Sequence, residues 1–92
     1  MSATTPSLRL GRVVATTTAA REIPMHEVMR ALSRHASGDW GDVCDEDREL
    51  NDWSLSNGES ILSAYVTANG TRFWIITERD RSATTVLLPE DY

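Results

Sequence analysis

Lysine is absent from this chain, and cysteine occurs once, at Cys44. A lone cysteine excludes an intrachain disulfide or a paired-thiol redox site, and it fits a reducing cytoplasm. No stretch approaches the ~20 apolar residues that cross a bilayer. MSATTPSLRL lacks the basic start and apolar centre of a signal peptide, so a cytoplasmic location with no membrane partner is expected. Glycine-rich phosphate loops and nucleophile elbows are also missing, which leaves an enzyme, a cofactor or a metal unexpected.

What is present is a single core's worth of chain. Ninety-two residues close one small domain, expected over 8–92 behind a flexible Ser/Thr/Pro-rich segment over 1–7. All nine basic residues are arginine, against fourteen acids, for a net charge of −5. Residues 1–35 carry Arg9, Arg12, Arg21, Arg30 and Arg34 against Glu22 and Glu27, whereas twelve acids and four arginines follow. Such segregation predicts a cationic patch on an anionic body.

The elements read as β-α-α-β-β-β. LRLGRVVATTT (8–18) is β-branched and threonine-rich, as a strand is. Pro24 suits a helix start, and Met25, Val28, Met29, Leu32 and Ala36 share one helical face, predicting that the methionines are core. A second helix follows over the acidic run, with Val43, Leu50 and Trp53 as its apolar stripe and Arg48 within reach of Asp45 and Asp52. ILSAYVTA and TRFWIITE flank Asn69-Gly70, the signature of a two-residue hairpin turn. That turn pairs Val66 with Phe73, Ala64 with Ile75 and Tyr65 with Trp74. ATTVLL (83–88) is the last strand. The expected fold is α+β, an antiparallel sheet with two helices on one face. Large apolar groups on both sheet faces then predict a homodimer, or the first strand, as cover for the second face.

GDWGDVCDEDRELNDW (38–53) concentrates the acids. A calcium loop aligned from Asp42 puts Asp47 where the turn glycine belongs and Trp53 where the bidentate glutamate belongs, which excludes it. A capped helix with a solvated acidic exterior is the ordinary account. The functional one is a partner surface or DNA mimic built on Asp45, Glu46, Glu49 and Asp52. His26 and His35 lie on opposite sides of one helix and cannot share a metal, so both read as surface or boundary residues. Cys44 sits among carboxylates that oppose thiolate formation. Tyr65, Trp74 and Arg72, on one expected sheet face, match a stacking platform for single-stranded nucleic acid.

The motifs GDWGD and GTRFWIITE, followed by TTVLLPE and a terminal tyrosine, resemble a family of short uncharacterised bacterial proteins carried on plasmids and integrative elements. The resemblance runs from about LGRVVAT to the C-terminus. It implies a mobile-element setting and transfers no catalytic residue. The expected function is therefore a non-enzymatic accessory protein that binds nucleic acid in transcriptional regulation. Arg9, Arg12, Arg21, Arg30, Arg34 and Arg72, with Tyr65 and Trp74, are the expected contacts. A protein-interaction module or DNA mimic acting through the 42–52 acidic helix is the alternative.

Overall fold

The computed structural model describes residues 8–92, and the expected flexible segment 1–7 lies outside them. Four strands, β1 (Arg12–Ala15), β2 (Ile61–Val66), β3 (Arg72–Thr77) and β4 (Ala83–Leu87), form one sheet in the order β1-β4-β3-β2. Three helices, α1 (Thr17–Glu22), α2 (Met25–Ala36) and α3 (Asp45–Asn57), precede β2, and a 3-10 turn (Pro89–Asp91) follows β4. The fold is α+β as expected. The sheet is mixed rather than antiparallel throughout, because β1 pairs parallel to β4. The first strand therefore extends the sheet and does not cover its second face.

β1 is shorter than the expected 8–18, and local chemistry explains why. The Thr16 hydroxyl accepts the Ala19 N–H at 3.1 Å and caps α1, a helix that the threonine run conceals.

The hairpin register differs by one residue from the expected one: Tyr65 faces Phe73, Ala64 faces Trp74 and Val66 faces Arg72. The loop is closed by Thr67 N–H to the Thr71 carbonyl at 2.9 Å, with Gly70 at φ +92° supplying the left-handed residue. The Asn69 side chain accepts from both the Thr67 and Thr71 hydroxyls, which favours this wider turn. Because side chains alternate, a one-residue slip turns one strand over relative to its partner, and here β2 is the strand that changes face while Phe73 and Ile75 stay inward. Ile61, Ser63, Tyr65, Phe73, Ile75 and Thr77 point inward and are buried. Leu62, Ala64, Val66, Trp74 and Ile76 point outward, away from α1 and α2.

α1 and α2 cover the inner face through Ala19, Ile23, Ala31 and Leu32. Met25 and Met29 are not core: they are 72% and 59% exposed. The buried arc of α2 runs through Val28, Ala31, Leu32 and His35, and its centre lies roughly 70° from Met25 at about 100° per residue. Counting His35 as polar pulls the expected arc toward the methionines.

Candidate functional site

GDWGD is first a structural device. Trp40 is 1% exposed, packed with Leu8 and Ile61, and its indole N–H donates to Asp52 at 2.8 Å. The Ala64 N–H donates to the Trp40 carbonyl at 3.1 Å, and the Asp42 N–H donates to the Ala64 carbonyl at 2.7 Å. Gly41 is required there, since a Cβ would collide with the Ala64 carbonyl oxygen. Further along β2, the Asn51 amide donates to the Leu62 carbonyl (2.8 Å) and accepts the Leu62 N–H (3.4 Å). The outward backbone groups of Leu62 and Ala64 are thereby satisfied, and the β2 edge is closed to further strands.

α3 lies along that edge with Asn51 and Ser54 buried and Leu55 packed against the Trp40 cluster, while Leu50 and Trp53 of the expected apolar stripe face out. Its acidic first turn (Asp45, Glu46, Asp47) complements the helix dipole. Glu49 also faces solvent, and Asp52, though exposed, is engaged by Trp40. Leu50 and Trp53 are 57% and 53% exposed, and Val43 precedes the helix in the small cluster under Trp40. Arg48 reaches the Val43 carbonyl at 3.2 Å instead of the expected acids. At the other end Arg81, the only non-glycine residue at positive φ among those described, donates to the carbonyls of Ser54 (2.9 Å) and Glu59 (2.6 Å). It holds the C-terminus of α3 against the turn after β3. The RDRS stretch reads only as a turn in sequence, so this role was missed.

A groove of about 240 Å³ between α3 and the outer sheet face adjoins a second of about 330 Å³ that continues over β3 and β4, and the two share Ser60, Ile76 and Tyr92. Leu50 and Leu62 line the first and Leu87 the second, with Asp47 and Glu78 as the charged residues and no arginine. Tyr92 meets Trp74 edge-on, ring centres 5.7 Å apart. Sequence reasoning missed this groove because it needed both the true register and the folding back of the C-terminus.

The expected nucleic-acid residues do not converge. Tyr65 is buried on the inner face, its hydroxyl donating to the Asp39 carbonyl at 2.6 Å, whereas Trp74 and Arg72 lie toward the outer one and the sheet's end. Burial pushes the Tyr65 phenol up to about 12. Arg34 is bidentate to Asp39 (2.8 and 3.3 Å) and sits 4.8 Å over the Tyr65 ring. The hydrogen bond from Arg34 holds the Asp39 carboxyl below its usual range. Arg72 lies 3.6 Å from Asp42. Arg30 and Arg34 line a third cleft beside Tyr65 and Glu27. Among the described residues Arg9, Arg12, Arg21 and Arg30 have no acid within ion-pair distance. Arg12 sits opposite Ala83 on the edge strand β1, whereas Arg72 sits opposite Val66 on the inner strand β3, two strands away.

His35 is fully buried, not a surface residue. Its Nδ1 lies 2.5 Å from the Ser63 hydroxyl and its Nε2 2.8 Å from that of Thr77, which is 2.8 Å from Thr84. The Thr84 hydroxyl donates to the Leu10 carbonyl at 2.7 Å. Each hydroxyl has one proton, so Thr77 must donate to Thr84 and His35 Nε2–H to Thr77. In the neutral ring Nδ1 is then bare and accepts from Ser63. The chain of donors fixes Nε2–H, while burial, with Arg81 adding to the effect, pushes the pKa down to about 4 and so keeps the imidazole neutral at neutral pH. Histidine beside serine can suggest a nucleophile, but this pair is sealed from solvent and ties α2 to three segments. Among the described residues no three His, Cys, Asp or Glu side chains are placed to share a metal, and no helix is long and apolar enough to cross a membrane.

No family model, curated protein or solved structure matches the chain. The geometry alone carries the functional reading.

Proposed function

We propose that this is a non-enzymatic protein-interaction module whose groove between α3 and the outer sheet face receives an apolar, positively charged segment of a partner protein. One observation carries the reading. The groove has an aliphatic and aromatic floor (Leu62, Ile76, Leu87, Tyr92), acids at Asp47 and Glu78, and no basic lining residue. Asp45, Glu46 and Glu49 extend the negative field along α3. Leu50 and Trp53 add apolar surface beside it. An apolar floor under a negative rim favours a cationic amphipathic ligand and repels phosphate.

The test is a chemical-shift titration with a short peptide alternating leucine and arginine. Shifts at Leu62, Ile76, Leu87 and Tyr92, abolished by Ile76→Asp and absent with an acidic peptide of the same pattern, support the reading. No shifts, or shifts elsewhere, overturn it.

Nucleic-acid contact is the second reading. It is favoured by Arg9, Arg12, Arg21 and Arg30, which lack acid partners among the described residues. Short single- and double-stranded oligonucleotides at low and moderate salt test it, because arginine–phosphate binding weakens steeply with salt.

A further inference from the structure

The two edges of the sheet are treated differently. The β2 edge is closed by Asn51 and by the Trp40–Asp42 segment. The β1 edge is not. Arg12 N–H donates to the Ser82 carbonyl and Thr16 N–H to the Val86 carbonyl, both at 3.0 Å. Residues 12, 14 and 16 therefore turn their backbone groups toward β4, and by the two-residue alternation of a strand Val13 and Ala15 turn theirs outward. Among the described residues nothing receives them. All four residues of β1 are exposed, Val13 by 45% and Val14 by 41%.

We infer that β1 is a pairing edge whose occupant is a second copy of this chain, joined antiparallel across a two-fold axis at Val14. The parity of the strand selects this arrangement. Val13 and Ala15 share one face, so pairing Val13 with Ala15 of the second copy lets each exchange both N–H···O=C bonds. The same pairing keeps the helices of both copies on one side. The two Val14 side chains then meet on the other face.

Charge argues for a second copy rather than an unrelated strand. Asp91 accepts the Thr16 hydroxyl at 2.7 Å and the Leu88 N–H at 3.0 Å, which sets a carboxylate at the far end of β1. In the two-fold pair Arg12 of one copy stands opposite Thr16 of the other, beside that carboxylate. Arg12 has no acid within ion-pair distance in its own chain among the described residues. The complementarity occurs twice by symmetry. A strand of four residues buries little surface, so the pair forms in a concentration-dependent equilibrium rather than as an obligate dimer.

This inference does not rest on the peptide groove, which runs from α3 across the outer face as far as β4 and includes no residue of β1. Sedimentation of the full chain across concentration is expected to show the mass rising from one chain to two. Val14→Arg, which sets like charges together on the axis at an exposed position, should leave a folded monomer. Arg12→Glu should weaken association, while Val66→Arg, near the β2 edge, should leave the dimer unchanged. In the wild type, amide exchange of Val13 and Ala15 should slow as the dimer fills. A monomer at every concentration to about millimolar, a dimer indifferent to Val14→Arg, or equal loss with Val66→Arg would each overturn the inference.

Discussion

Acid should weaken this fold at a histidine before it does so at the carboxylates. His35 is neutral in the native state, with a pKa of about 4, while in the unfolded chain it returns to its ordinary 6.5. Below 6.5 the unfolded state therefore binds a proton that the native state refuses. The stabilisation is complete above 6.5, falls as pH drops toward 4, and changes no further below that. A tenfold difference in proton affinity between the two states corresponds to about 1.4 kcal/mol, so the full loss is about 3 kcal/mol, a large part of a small domain's stability. The diagnostic window is the upper part, since the lowered carboxyls of Asp39 and Asp91 also act in acid. Urea denaturation between about pH 7.5 and about pH 5 should lose about 2 kcal/mol. His35→Gln, whose amide can still donate to Thr77 and accept from Ser63, should flatten that slope. Histidine ¹⁵N signals should report the Nε2–H tautomer. An unchanged stability across the window, or a slope that survives His35→Gln, would refute the buried neutral imidazole.

Other perturbations separate residues that look alike in sequence. Trp40→Ala should cost about 3–5 kcal/mol in denaturation, whereas Trp53→Ala, at the exposed end of the same run, should stay within about 0.5 kcal/mol. Gly41→Ala cannot be accommodated against the Ala64 carbonyl and should lower stability by more than about 4 kcal/mol, read as a collapse of the melting temperature. Arg81→Ala loses the carbonyl contacts and keeps the strained backbone, so Arg81→Gly should be the more stable of the two by about 1 kcal/mol. Asn51→Asp turns an acceptor toward the Leu62 carbonyl, and about 2 kcal/mol should be lost at neutral pH.

Most of the element order was legible because every element but α1, which the threonine run hides, carries its own local signal. Pro24 before an amphipathic stretch, acids at the start of α3 and Asn69-Gly70 between two β-branched runs act over a few residues, where sequence and structure are the same thing. The α+β class follows from them. Beyond the missed α1 and the parallel pairing of β1, the errors share one character: they turn on which face an element presents. Met25 and Met29 lost the core to His35, whose polarity is cancelled only by Ser63 and Thr77, residues 28 and 42 positions away. Tyr65 and Trp74 were separated by a hairpin register that side chains in the loop and the inner-face packing settled together.

The candidate groove was legible only as its charge. The acids of 42–52 were evident, but the apolar floor beside them depends on Ile76 pointing outward and on Tyr92 folding back over Trp74. The role of GDWGD was equally hidden, since nothing local announces that Trp40 and Asp42 will satisfy the backbone of Ala64. By itself the sequence determined composition, charge asymmetry, the local elements and the chain's smallness, since these need no partner at a distance. The tertiary structure alone decided strand order, hairpin register, the buried histidine and the open edge. Each of those depends on pairing polar groups and filling volume between segments far apart in the chain.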